Sequence, residues 1–128
     1  MKAKISTDLK QSKKLTEILP IDTADMFWLI TNQAHLHILD DEPLSNYDRW
    51  EHYPAWSLSA LLNYLRGIDF FPEIATDDIS ITAGITYIDW KDGAVIHDVK
   101  QHTEEDNDLI DVIVKLIIWM SENNFLNN

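Results

Sequence analysis

Two residue groupings in this chain could do chemistry. His35 and His37 lie two apart in an apolar-flanked segment. On a strand, that spacing points both rings to one side. Two imidazoles on one face make half of a metal site. A third ligand is not identifiable, although His97, Asp98 and His102 stand elsewhere. The competing reading is a pair of rim histidines beside Trp28. The second grouping mixes rings and acids: Asp40, Asp41, Glu42, Tyr47, Asp48, Trp50, Glu51 and Tyr53. Aromatic side chains bury large rigid areas at low entropic cost and anchor protein interfaces. Stacking of nucleic-acid bases is disfavoured here, because acids occupy the places where lysine or arginine would be needed.

Other chemistries lack their residues. The chain has no cysteine, which excludes disulfides, thiolate zinc sites and cysteine nucleophiles. Three glycines cannot assemble a phosphate-cradling loop. Neither Asp106-Asn107-Asp108 nor residues 89–93 has the alternating ligands of a calcium loop. Ser57 and Ser59 sit in no nucleophile elbow. With 21 acids after residue 14, chance carboxylate pairs are inevitable and carry no information about hydrolysis. No cofactor is implied.

Charge narrows the partners. Residues 1–14 hold five lysines and one aspartate, a net of +4, whereas residues 15–128 hold five basic and 21 acidic side chains, a net of −16. The total of −12 repels nucleic-acid backbones and anionic membranes and attracts basic protein surfaces. At 45% hydrophobic residues the 128-residue chain can bury a core, so one acidic domain spanning 1–128 is expected. Its apolar runs, residues 26–30 and 116–120, are too short to span a bilayer. No signal peptide is visible, and a cytoplasmic location is the default.

These groups must be positioned by a small set of elements. Residues 7–19 form a helix with Asp8 in its first turn, ended by Pro20. Met26–Ile30 and residues 35–39 read as a hairpin. A turn at Asn32-Gln33 would put Phe27, Leu29, Leu36 and Ile38 on one face, with Met26, Trp28, Ile30, His35, His37 and Leu39 on the other. Residues 40–55 form a long connection. Ser57 caps a central helix, Trp56 staples onto Leu61, and Gly67 sits at the helix end. Residues 79–86 alternate as a strand, with a bulge near residues 84–87 where the apolar parity switches. Asp92-Gly93 turns the chain into a strand at 94–101. The last helix opens at residues 103–106 or at Asn107. The order α-β-β-α-β-β-α predicts an α+β fold, an antiparallel sheet of two hairpins with helices packed on it.

In the last helix Leu109, Val112, Ile113, Leu116, Ile117 and Met120 make a main apolar stripe, and Ile110, Val114 and Ile118 make a second row. A helix apolar most of the way round is sandwiched in its own domain or docked on a partner. The sandwiched reading is preferred, and a homodimer contact through Ile110, Val114 and Ile118 is the alternative.

Gln11-Ser12-Lys13-Lys14-Leu15, Pro54-Ala55-Trp56-Ser57-Leu58-Ser59-Ala60-Leu61-Leu62 and Leu109–Glu122 resemble a set of small uncharacterised proteins of gut-bacterial genomes, prophages and other mobile elements. That set shows a lysine-rich first helix, a proline-led central helix after an aromatic loop, a strand pair and a last helix. The present chain departs from it in the acidic 40–53 stretch and the β-branched last helix. The resemblance implies a mobile-element context and no activity. The expectation is a non-enzymatic acidic interaction module, an inhibitor or immunity-type protein binding a basic surface, with Tyr47, Trp50, Tyr53, Asp40, Asp41 and Glu42 as its contact residues. The alternative is a small metal-binding protein or metal-dependent hydrolase using His35 and His37.

Overall fold

In the computed structural model, residues 4–39, 49–76, 81–89, 95–106 and 108–126 are described. Helix α1 spans Leu9–Thr16. Asp8 caps it, accepting from the Gln11 amide at 2.8 Å, while the Gln11 side chain accepts from the Asp8 amide at 2.9 Å. This reciprocal box satisfies two backbone donors that a helix start leaves orphaned. The helix stops four residues before Pro20, which opens a 3-10 turn at Ile21–Thr23.

Strands β1 (Met26–Ile30), β2 (Ala34–Ile38) and β3 (Glu51–Ala55) form a first antiparallel sheet in the order β2-β1-β3. The β1–β2 loop is Thr31-Asn32-Gln33, because Ile30 pairs with Ala34 and Phe27 with His37. This corrects the two-residue turn expected at Asn32-Gln33. One extra loop residue slides β2 by one position and flips its side chains to the opposite face. His35 and His37 therefore share a face with Phe27 and Leu29, and Leu36 and Ile38 share one with Trp28 and Met26.

Helix α2 (Leu58–Gly67) starts at Ser57, whose Oγ accepts from the Ala60 amide at 3.1 Å. Trp56 and Leu61 are both fully buried in one core cluster, as a staple requires. The residue with positive φ after this helix is Asp69 (φ 63°), rather than Gly67.

Strands β4 (Phe70–Thr76), β5 (Ile81–Asp89) and β6 (Val95–Asp106) make the second antiparallel sheet, in chain order. The irregularity expected near Gly84 falls between Ala83 and Ile85. Ala83 pairs with Glu104 and Ile85 with Val99, so the surplus residues lie on β6. Asp92-Gly93 lies outside the described residues. The stretch 103–106 does not open the last helix. It continues β6, and Asp108 caps α3 (Leu109–Glu122) by accepting from the Ile110 amide at 2.9 Å.

The molecule is α+β as expected, with each anticipated hairpin gaining a third strand and the two forming separate sheets. Helix α3 contacts β5, β6 and α2, and seven of its residues are buried. Its end is a Schellman motif: the Phe125 amide bonds the Met120 carbonyl at 2.9 Å, and Asn124 takes the left-handed conformation at φ 63°. Phe125 then stacks on Trp119 and meets Phe70 edge-on.

Candidate functional site

The aromatic–acidic stretch has its described part at the start of β3. Pro54 is tolerated there because β3 is an edge strand. Alternation places Glu51, Tyr53 and Ala55 on one face, across from Ile30, Trp28 and Met26. Ala55 is buried, Tyr53 is half-buried, and Trp50, just before the strand, is 45% exposed. The Tyr53 hydroxyl donates to Glu51 Oε1 at 2.5 Å. That bond favours the neutral phenol, so it holds the Tyr53 pKa above its ordinary value. The Lys13 ammonium lies 4.9 Å from the Tyr53 ring centroid, and the Arg49 guanidinium 5.6 Å from that of Trp50. Tyr53 and Glu51 are thus joined on one face, and exposed Trp50 directly precedes them in the chain. Tyr47, Asp40, Asp41 and Glu42 lie outside the described residues.

The histidines are dispersed. His37 stacks on Phe27 with centroids 5.2 Å apart. His52, on β3, joins the same face and has its Nδ1 2.9 Å from the Trp50 carbonyl oxygen. His35 and His52 both pair with Leu29 from opposite sides. They are therefore two strand spacings apart, about 10 Å, with Leu29 between. Among the described residues no three His, Asp or Glu side chains come together as a metal site would need. His97 and Asp98 belong to β6 in the other sheet, opposite Tyr87 and Thr86.

In the second row of α3, Ile110 and Val114 are each 2% exposed, and Ile118 is half-buried. The chain itself covers two of these three residues, in line with the sandwiched reading.

Sequence reasoning missed a junction of charges at Lys4. The Lys4 amide donates to Asp108 Oδ2 at 3.0 Å, and its ammonium donates to Asp111 at 2.6 Å and to Asp8 at 3.0 Å. The Gln11 amide group donates to Asp111 at 2.7 Å. One lysine thus ties the capping residues of α1 and α3 together. Partial burial pulls the Lys4 pKa down, but hydrogen bonds and charge from Asp111 and Asp8 outweigh it and leave it raised. Partial burial pushes Asp8 up, but the Gln11 amide and Lys4 outweigh that and leave it lowered. The local traces of the junction are the Asp8-x-x-Gln11 box and the Lys4–Asp8 spacing of four. The Asp108 and Asp111 contacts cross more than 100 residues.

Other acids face water. Asp22, Glu51, Glu73 and Glu122 are exposed and have no cationic partner among the described residues. No described helix is long and apolar enough to cross a membrane. Comparison with protein-family models, curated proteins and solved structures returns no match.

Proposed function

We propose that this chain is a non-enzymatic interaction module that docks a basic surface of another protein in the cytoplasm, as an inhibitor or immunity-type protein of a mobile element would. The observation that carries this reading is exposed Trp50 directly before the edge strand that holds Glu51 and Tyr53, in a chain of net charge −12. A large exposed ring supplies burial on contact. The unpaired carboxylates speed encounter and select basic partners more than they add affinity. Immobilised full-length chain should retain a basic protein at low ionic strength and release it as salt is raised. Retention should fall with Trp50→Ala/Glu51→Lys. Recovery of no basic partner, or of one indifferent to both salt and the double substitution, would overturn the proposal.

A further inference from the structure

A cleft of about 470 Å³ opens between α1 and α3. Its size lies within the usual range for small-ligand sites. Four of the chain's ten basic residues line it: Lys4, Lys10, Lys14 and Lys115. Such a concentration of cations is unexpected in a chain of net charge −12. Three aspartates also line the cleft, leaving four lysines a net local excess of one positive charge. Asp8 and Asp111 hold Lys4, and Asp106 holds Lys115 at 3.0 Å. Lys10 has no ion pair among the described residues. The contact of Lys14 to Glu17 is long, 3.8 Å, between largely exposed side chains. Lys10 and Lys14 are four apart on α1, so they project from the same helix face. The remaining lining is Gln11 with the apolar Val114 and Ile118 of α3.

We propose that this cleft binds a small organic anion, its head held by Lys10 and Lys14, and its apolar body lying against the half-buried Ile118. Size is part of the selection. A polyanion would also meet the −16 carried by the rest of the chain, whereas a small anion needs only the local lysines. The second described cavity, about 380 Å³, has no basic lining residue, and its Asp25 is occupied by the Ser57 amide and hydroxyl. It offers an anion nothing.

The test is a titration of the ¹⁵N-labelled full chain at low ionic strength with phenyl phosphate, inorganic phosphate and phenol, read by amide shifts. Phenyl phosphate should shift Lys10, Gln11, Lys14, Val114, Lys115 and Ile118. It should bind about tenfold or more tighter than inorganic phosphate, because the ring adds apolar burial. Lys10→Gln/Lys14→Gln, at two exposed positions, should weaken it about tenfold or more while leaving the remaining spectrum intact. Three results would overturn the proposal: no shifts up to about 10 mM, shifts that survive the double substitution, or equal binding of phenyl phosphate and inorganic phosphate.

Discussion

The two sheets have the same strand count and the same antiparallel pairing, yet they are used differently. The β4-β5-β6 sheet lies under α2 and α3, and Phe70, Ala83 and Ile85 are buried in the main core cluster with α3. The β2-β1-β3 sheet meets α1 at β3 but leaves Ala34, His35, His37, Ile38 and Glu51 exposed, with Trp50 beside them. Among the described residues the second sheet gives Phe70, Ala83 and Ile85 to the core with α3, although Phe71, Glu73 and Ile74 of β4 are exposed. Trp50 and Glu51 are exposed at the first sheet. Stability should therefore be lost by changes in the packed half, around α3, and recognition by changes in the half around β2-β1-β3.

The sharpest way to break this division is Val114→Asp. A carboxylate at a 2% exposed site loses its hydration, which costs several kcal/mol, enough to unfold a marginal domain. Circular dichroism should show loss of cooperative structure. A folded, stable monomer would instead assign the row to a contact between copies. Next in size is Trp56→Ala, at a fully buried ring whose Nε1 donates to Thr23 Oγ1 at 2.9 Å. Urea denaturation should register a loss of about 3–5 kcal/mol. Trp56→Phe should keep most of the packing and lose about 1 kcal/mol through the missing hydrogen bond.

Lys4→Met addresses the seam between the halves. Partial exposure of Lys4 and Asp8 screens the junction, so about 1 kcal/mol is expected at neutral pH. The pH dependence has a defined sign. Asp8 is lowered, so its contribution is present above its ordinary 3.8 and lost as pH falls through the depressed folded value. Lys4 is raised, so its contribution is complete below 10.5 and lost as pH rises through the elevated folded value. The stability gap between wild type and Lys4→Met should be widest between those limits and close at both ends. A gap independent of pH would show that the loss is one of packing. The smallest stability effects belong to Ile38→Ser and Trp50→Ala, at residues 73% and 45% exposed, each within about 0.5 kcal/mol. A larger loss at either would mean that the open sheet carries part of the core.

Local signals made much of the packed half legible. Ser57 as a cap, the stripe of α3 and the alternation of β5 are short-range patterns, and each names its own element. Strand β3 escaped because residues 40–55 read as one long connection, and no element is read at β4. Both are edge strands, which accommodate Pro54 and Pro72. Residues 103–106 read as a helix start because acids favour that position. Pairing of Glu104 and Glu105 with Ala83 and Thr82 overrode that local preference. The face of His35 and His37 turned on one loop residue, which no local pattern specifies. At the candidate site the adjacency of Trp50, Glu51 and Tyr53 was visible in the sequence. The Lys4 junction and the cleft beside it were not, since their partners are joined only by tertiary folding.

The most direct test of the division is amide hydrogen exchange on the full chain, alone and with the basic protein retained at low salt. The account predicts added protection at Glu51, His52 and Tyr53, with the slow exchange of α3 unchanged. Protection confined to α2 and α3, with β3 exchanging as in the free chain, would contradict it.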